Sequence, residues 1–334
     1  MDMQVILSQM AVLFILIAIG YIAGKVKMLS SEGIKNLSRV VLNISTPSTI
    51  LYSVLSDTGG ITGSKSLYFM SLIMLSYAIV FFVAIPASYI LGKSERSPIR
   101  DNLDSKTEDA TNGSLSTGEA RVISSNRGLY CSMIAFGNVG FMGFPISQAI
   151  LGVGSMFYAA LFNIIFNILT YSVGTMLISG KGGKINFKPL LNATLFSAII
   201  AFFLVLTGIK APKIINETIS LASGMNTPCA MLVIGATLSR VSVKDVFSRW
   251  QLYPIAAIKM LIIPFLIWFV FKQFVADGML LGVLVVLSSM PIAAAIAMLS
   301  IEYGADDRLA SGSVFITTLL SAATIPLITY VLLM

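Results

Sequence analysis

Long apolar stretches, nearly free of charge, recur along almost the whole of this chain. A helix needs about 20 apolar residues to cross the hydrocarbon core of a membrane. Ten stretches reach that length, at residues 4–24, 37–56, 67–92, 128–149, 155–178, 189–208, 215–239, 253–273, 278–301 and 309–333. The sequence therefore predicts an all-α integral membrane protein with about ten transmembrane helices, numbered here as helices 1 to 10.

The composition supports this prediction and narrows the function. Of the 334 residues, 56% are apolar and only 11% are charged, against roughly 25% charged in ordinary soluble domains. A net charge of +7 would suggest nucleic-acid binding in a soluble protein. Because this chain is predicted to span a membrane, no nucleic-acid partner is expected. Because Cys131 and Cys229 lie inside apolar stretches and the chain has no histidine, no disulfide framework, metal site or cofactor is predicted.

Basic residues are distributed unequally between the two sides of the predicted membrane domain. The connections that follow odd-numbered helices hold most of the 22 Lys and Arg residues, including those of the polar loop 93–126. By the positive-inside rule, both termini are expected outside the cell membrane and loop 93–126 in the cytoplasm. This loop lacks apolar periodicity and is rich in Ser, Asn, Asp and Gly, which is typical of a mobile loop rather than a domain.

Matching patterns indicate an internal repeat. Thr46-Pro47 in helix 2 corresponds to Thr227-Pro228 in helix 7, and Pro145 in helix 4 corresponds to Pro291 in helix 9. The last helix in each half has one polar face. The residues on this face are Asn163, Asn167 and Thr170 in helix 5, and Thr317, Ser321 and Thr324 in helix 10. Because five is an odd number, a second five-helix unit enters the membrane from the opposite side. Residues 1–178 and 179–334 are therefore predicted to be inverted repeats, the alternative being ten unrelated helices.

Two helices are predicted to be broken near the middle of the membrane. Pro145 and Pro291 each remove a helical hydrogen bond, and Gly137, Gly140 and Gly143 permit unwound backbone before Pro145. In hydrocarbon such backbone is tolerated only in protein or beside a water-filled cavity. Discontinuous helices at matching positions indicate the substrate site of a transporter, where half-helix N-termini attract an anion. The alternative is that proline merely kinks the helices and glycine merely lets them pack closely.

Uncharged polar side chains accompany these breaks and offer donors to a carboxylate without a buried charge. The candidate substrate-binding residues are Asn43, Thr46, Gly137, Asn138, Gly143, Pro145, Asn226, Thr227, Ser288, Ser289, Pro291 and Lys259. For the polar members, hydrogen bonding between helices is the structural alternative. Lys259 lies well within an apolar span, where it either attracts an anion or holds counter-charge. Its alternative is to extend its side chain to the cytoplasmic interface.

The driving force is less well defined by the sequence. The middle of the predicted helices carries no acidic residue, so the usual carboxylate of a sodium or proton site is missing. Backbone carbonyls at a broken helix can bind Na⁺ without a carboxylate, so Na⁺ and H⁺ both stay open as coupling ions. The sequence contains neither a phosphate-binding loop for ATP nor a nucleophile paired with a base, and an enzyme is therefore not predicted.

Two runs identify a known family. GNVGFMGFPI at 137–146 and SSMPIAAA at 288–295, within two inverted five-helix repeats, resemble the auxin efflux carrier family in its prokaryotic branch. The resemblance covers nearly the whole chain apart from loop 93–126. It implies a secondary carrier of organic anions, including auxin in plants and malonate or malate in bacteria. It also implies a fold similar to that of bile acid symporters and sodium/proton antiporters, in which two broken helices cross in a transport domain that moves against a scaffold. Carried over by motif, the crossing falls at Pro145 and Pro291, with Asn138 near the substrate.

The predicted function is that of a secondary active transporter of a small organic anion in the lipid bilayer. A mono- or dicarboxylate or an auxin-like compound would move by alternating access at a midplane crossing of helices 4 and 9. The alternative is a membrane receptor or sensor that binds its ligand on the same fold without transporting it. Transporters of similar fold are often dimers, so a homodimer is also considered.

Overall fold

The computed structural model describes residues 3–55, 63–94, 127–180, 192–209, 211–240 and 249–333. In these residues the chain is helical, and the β interaction among them is one isolated antiparallel bridge between Gly137 and Ile292. Nearly all of the predicted polar loop, and the link between the predicted repeats at 181–191, lie outside the described residues.

The helical segments are labelled α1 to α10 in chain order. The first half contains α1 (Met3–Lys25), α2 (Ser31–Val40, a π-helical turn at Val41–Ser45, and Thr46–Leu55), α3 (Gly63–Ser94), α4a (127–135), α4b (a π-helical turn at Val139–Gly143 and Phe144–Leu151) and α5 (Ser155–Leu169, a π-helical turn at Thr170–Gly174, and Thr175–Ser179). The second half contains α6 (Ala193–Thr207), α7 (Lys213–Gly224 and Asn226–Leu238), α8 (Leu252–Ala257, a π-helical turn at Ile258–Ile262, and Ile263–Phe271), α9a (Gly278–Ser288), α9b (Ala294–Tyr303) and α10 (Asp307–Leu333).

Six helices of the described chain are long and apolar enough to cross a membrane. They are Leu7–Lys25, Ser64–Gly92, Ser155–Ser179, Lys213–Leu238, Leu252–Phe271 and Asp307–Leu333. The shorter apolar helices are Val139–Leu151, Ala193–Thr207, Gly278–Ser288 and Ala294–Tyr303, which correspond to α4b, α6, α9a and α9b. The predicted all-helical membrane architecture is confirmed, and the short helices arise mainly because α4 and α9 are interrupted.

One group of helices is held together by two corresponding contacts, in each of which the first helix of one half packs against the second helix of the other half. The helix α1 packs along the second part of α7, and α6 packs along the second part of α2. The first contact brings backbones together, because a Cβ on Gly235 would overlap the carbonyl oxygen of Ile17, and a Cβ on Gly20 would overlap that of Leu232. Glycine is required at both positions for the helices to approach this closely.

The second group packs around the interrupted segments. The helix α5 lies against α3 and α4b, while α10 lies against α8 and α9b. Aromatic rings fill the space beside the interruption in α4, where Phe136 contacts Tyr77, Phe81 and Phe166 with ring centroids 5.9–6.2 Å apart. Phe136 is fully buried, so the unwound backbone lies in protein and not against lipid, as the cost of exposed peptide groups requires.

Polar contacts tie the helix ends together on two sides. On one side Arg240, which follows α7, donates to the hydroxyl of Ser31 at 2.6 Å. Arg249, which precedes α8, pairs with Asp306, which precedes α10, at 3.1 Å. At the beginning of α3, the Lys65 ammonium lies 2.5 Å from Asp277, whose carboxylate also accepts from the first amides of α9a.

Candidate functional site

The two interrupted segments cross at their interruptions. Residues 136–138 separate α4a from α4b, and residues 289–293 separate α9a from α9b. The amide of Asn138 donates to the carbonyl oxygen of Pro291 at 2.7 Å, and the amide of Ala293 donates to that of Phe136 at 3.0 Å. These bonds flank the Gly137–Ile292 bridge. The crossing is thus held by main-chain hydrogen bonds in the buried interior.

The position of the first interruption differs from the expectation based on Pro145. This proline lies inside α4b, directly after the π-helical turn at Val139–Gly143, and the helix continues through it. The chain leaves the helix earlier, at Gly137 and Asn138, and Asn138 has φ −76° and ψ 68°. Pro291, by contrast, lies within its interruption. The structure therefore pairs Asn138 with Pro291, and the crossing is not at Pro145.

Glycines allow the two segments to approach. A Cβ on Gly143 would come within 2.8 Å of the side chain of Leu287. One on Gly137 would come within 3.2 Å of both the Met290 carbonyl oxygen and the Lys259 ammonium. Both distances are shorter than ordinary carbon contacts of about 3.5–4.0 Å. Gly137 and Gly143 therefore serve close packing at the crossing.

A threonine of α10 supports the interruption in α9. The amide of Ile292 donates to Thr317 Oγ1 at 3.1 Å, and this hydroxyl donates to the Ser313 carbonyl at 2.6 Å. On the other segment, Asn163 of α5 lies beside Gly140, with its Oδ1 4.0 Å from the position of a Cβ there. The polar stripes were visible in the sequence, but their contact with the interruptions was not.

The N-terminal turns of α4b and α9b are only partly enclosed by the rest of the protein. Gly140 and Phe141 at the first, and Ala294 and Ala295 at the second, are all half-buried. The first amides of a helix have no intrahelical acceptor, and the positive end of its dipole lies there. Asn138 stands at this end of α4b with 8% of its surface exposed. Within the described chain its side-chain amide makes no hydrogen bond. This side of the crossing offers free donors and partial positive charge, which suits an anion.

Lys259 comes from the π-helical turn of α8 and is only 2% exposed. It does not extend to an interface, because its ammonium lies beside Gly137, against the crossing. Together with Ser76, Ala135, Leu287 and Ser288 it lines a small cavity, which has room for about one water molecule. Lys259 makes no ion pair or hydrogen bond with any residue that the structure describes.

The serines at the end of α9a are buried, and both hydroxyls bond to their own helix. Ser288 donates to the Val285 carbonyl at 2.9 Å and Ser289 to the Val286 carbonyl at 2.7 Å. They lie at the crossing, but each hydroxyl already donates its proton to a carbonyl of the same helix. Their remaining hydrogen-bonding capacity is as acceptors.

The other polar candidates lie on α2 and α7, and two of them join these helices. Thr46 donates to Asn226 Oδ1 at 2.9 Å, which joins the two helices beside their Thr-Pro sequences. Thr227 is half-buried, and Asn43 is exposed on the surface of α2. Thr46 and Asn226 thus form the interhelical hydrogen bond of the structural alternative, while Asn226 Nδ2 is buried with no partner among the described residues. None of the four takes part in the hydrogen bonds described at the crossing.

A helical membrane protein in which two interrupted segments cross at a buried, partly polar site has the construction of a membrane transport protein. Comparison with known families agrees. Residues 120–329 match the model of the membrane transport protein family, and the chain belongs to this family, which is that of the auxin efflux carriers. The predicted family, a membrane transporter rather than an enzyme, is confirmed.

The related proteins are transporters by name. An uncharacterized transporter of Methanocaldococcus jannaschii is 28% identical over 96% of this chain and 97% of its own length. A putative malonate transporter of Rhizobium meliloti is 26% identical over 59% of this chain and 65% of its own length. The uncharacterized transporter YfdV of Escherichia coli is 27% identical over 60% of this chain and 67% of its own length. These relatives agree with the prokaryotic branch of the family.

Proposed function

We propose that this protein is a secondary active transporter that carries a small organic anion by alternating access at the crossing of α4 and α9. The observation that carries the proposal is the hydrogen-bonded crossing of Asn138 and Pro291, next to two half-open helix N-termini. Broken helices at the centre of a transporter are where substrate is bound.

The architecture we propose is two inverted five-helix repeats, residues 1–178 and 179–334, with ten membrane crossings in all. Reciprocal packing supports it, because α1 lies on α7 as α6 lies on α2, and α5 lies on α4b as α10 lies on α9b. The helices α1, α2, α6 and α7 then form a scaffold. The remaining helices surround the crossing and form the part that moves.

The anion in this proposal binds at the N-terminal turns of α4b and α9b. There it receives backbone donors from both half-helices and the side-chain amide of Asn138. Neutral donors suit a substrate that must also leave, because a fully buried ion pair holds its partner more strongly. Since a related protein is named a putative malonate transporter, we place the substrate among small mono- and dicarboxylates.

We also propose that both termini face the outside of the cell membrane and that loop 93–126 is cytoplasmic. In support, Arg127 at the start of α4a stacks on Tyr89 near the end of α3, with a distance of 4.9 Å to the ring centroid. Arg249 and Asp306 join the beginnings of α8 and α10. These basic ends are cytoplasmic by the positive-inside rule. In a cysteine-free background, a thiol at Gln273 should react with an impermeant maleimide from outside, and one at Arg308 only after permeabilisation.

The decisive experiment is uptake of labelled malonate, malate and indole-3-acetate into proteoliposomes. Gradients of Na⁺, H⁺ or internal counter-substrate are imposed in turn, and the Asn138→Ala variant is the control. Saturable uptake that the variant loses supports a carrier and shows which gradient drives it. Saturable binding without flux under any gradient would contradict transport and would favour the sensor alternative.

A further inference from the structure

We infer that the Lys259 ammonium serves as a permanent cation at the crossing. It lies between the C-terminal ends of α4a and α9a, at a position where a small cation such as Na⁺ would otherwise bind. It does not bind the substrate. Lys259 is thus a positioning residue that acts on the substrate site through Gly137 and the bridge. This inference deepens the proposed function. It rests on that function only in the experiments that measure transport.

The first support is the position of the cavity that Lys259 lines. Ala135 is the last residue of α4a, and Leu287 and Ser288 are the last residues of α9a. A helix carries about half a negative charge at its C-terminus, and a cation there is stabilised. Two such ends border the cavity that Lys259 lines, where Val139 is the one lining residue from the beginning of α4b or α9b. The half-buried turns proposed to bind the anion are at Gly140 and Phe141 and at Ala294 and Ala295.

The second support comes from the carbonyl groups at this place. The carbonyls of Ser288, Ser289 and Met290 accept no backbone hydrogen bond from a described residue. The Met290 oxygen and the Lys259 nitrogen both lie 3.2 Å from the same point, the position of a Cβ on Gly137. The Lys259 ammonium and the Met290 carbonyl therefore both border Gly137, and this carbonyl is an acceptor without a backbone donor.

The third support is the orientation of the hydroxyl groups that line the cavity. Ser76 donates to the Ile73 carbonyl at 2.7 Å, and Ser288 donates to the Val285 carbonyl at 2.9 Å. A hydroxyl has one proton, so these two serines present lone pairs to the cavity. Beside Tyr77, which also lines the cavity, a carboxylate would face these two acceptors, while an ammonium with three N–H donors is complementary to them.

The charge balance of the cavity points the same way. None of the residues that line it is an Asp or a Glu, so the lysine has no carboxylate partner there. Its charge is compensated by dipoles of the backbone, as a bound Na⁺ would be. We therefore expect the crossing to need no cation from solution at this position while Lys259 is present.

The test is chemical rescue of Lys259→Ala. This change removes a group that has the shape of propylammonium and leaves an electronegative cavity. We expect transport to fall roughly tenfold or more and to recover in a saturable manner when propylammonium chloride is added. Propanol, a neutral molecule of similar shape, and tetramethylammonium, a cation without N–H donors, should not restore it. Wild-type protein should respond to none of them.

A measurement that needs no transport separates this inference from the proposed function. Propylammonium should raise the melting temperature of purified Lys259→Ala by about 3 °C or more, and the controls should not. If Lys259→Ala is not obtained folded, Lys259→Arg and Lys259→Met replace it. The inference expects the melting temperature to be kept in Lys259→Arg and to fall in Lys259→Met. Absence of rescue, or a Lys259→Met variant that matches wild type in stability and flux, would overturn it.

Discussion

Thr317 Oγ1 lies 3.1 Å from the backbone nitrogen of Ile292 and accepts its hydrogen bond. Ile292 forms the bridge with Gly137, so a side chain of α10 satisfies an amide at the centre of the crossing. Because Thr317 also donates to the Ser313 carbonyl, its hydroxyl orientation is fixed. The substrate site is therefore supported by a helix that contributes no residue to the proposed anion contacts.

Replacing Thr317 with Val should destabilise the crossing, because it leaves the buried Ile292 amide without an acceptor while keeping the side-chain shape. The cost of such an unpaired group is about 1–3 kcal/mol. We expect a lower melting temperature and reduced carboxylate uptake. The matched control is Thr318→Val, since Thr318 donates only to the Val314 carbonyl of its own helix. Equal behaviour of the two variants would argue against this support.

Asn138→Ala should lower carboxylate uptake by about tenfold or more, since hydrogen bonds to a charged group contribute about 1.5–3 kcal/mol. Its backbone bond to Pro291 does not need the side chain, so folding should be preserved. Asn138→Asp should be worse for transport, because a negative charge there repels the anion. Uptake and melting temperature are measured together, with Asn36→Ala on the exposed surface of α2 as the control. Normal uptake by Asn138→Ala would remove Asn138 from the proposed site.

Gly235→Ala should loosen the contact between α1 and α7. Its Cβ would overlap backbone atoms of Ile17 and Tyr21, and backbone cannot move aside as a side chain can. Overpacking of this kind costs about 1–3 kcal/mol. A clear fall in melting temperature is expected. Gly224→Ala, in the same segment, has no neighbour within 4 Å of its Cβ and should leave stability unchanged, so a similar loss in both variants would contradict the packing argument.

Acid should weaken the contact between Lys65 and Asp277. Burial alone raises the pKa of Asp277, but its hydrogen bond to Lys65 and those from the Leu280 and Met279 amides outweigh burial and lower the pKa. The stabilisation is therefore present above the ordinary aspartate pKa of about 3.9 and is lost as pH falls through the lower folded-state value. Because the pair is partly exposed, its size should be under about 1 kcal/mol.

Asp277→Asn isolates the charge in that experiment. Asparagine retains the oxygen that caps α9a but cannot form the ion pair with Lys65. Thermal unfolding of both proteins is followed from neutral to acidic pH. The stability difference should be largest near neutral pH and shrink towards zero in acid; a constant difference would show that the ion pair does not contribute.

The apolar pattern was sufficient to predict an all-helical membrane protein, and six of the ten predicted spans are matched by helices of the described chain that are long enough to cross a membrane. The predicted spans 155–178 and 309–333 correspond to Ser155–Ser179 and Asp307–Leu333, because long apolar runs bounded by polar residues leave the backbone no alternative in hydrocarbon. Boundaries in α2 were less accurate. Its helix begins at Ser31, where Ser30 accepts from the Gly33 amide, and a polar first turn carries no hydropathy signal.

The interruption in α4 could be located only in part. Proline as the sign of a broken helix holds for Pro291 and fails for Pro145, which lies directly after the π-helical turn of α4b without interrupting that helix. The break occurs where Gly137 and Asn138 meet Pro291 and Ile292, a pairing between distant residues that no local pattern encodes. The same limit applies to Lys259, whose burial depends on the other segments that enclose it.

The close contact between α1 and α7 affects how the protein assembles in the membrane. This contact joins Gly20 to Leu232 and Gly235 to Ile17. The principal partner of α1 is synthesised only after most of the chain, and a helix inserted early must wait in the membrane for it. Contacts of such large sequence separation form late and slow assembly. We expect a nascent chain that ends before α7 to leave α1 unprotected from proteolysis, and the chain to become protease-resistant only once α7 has joined it.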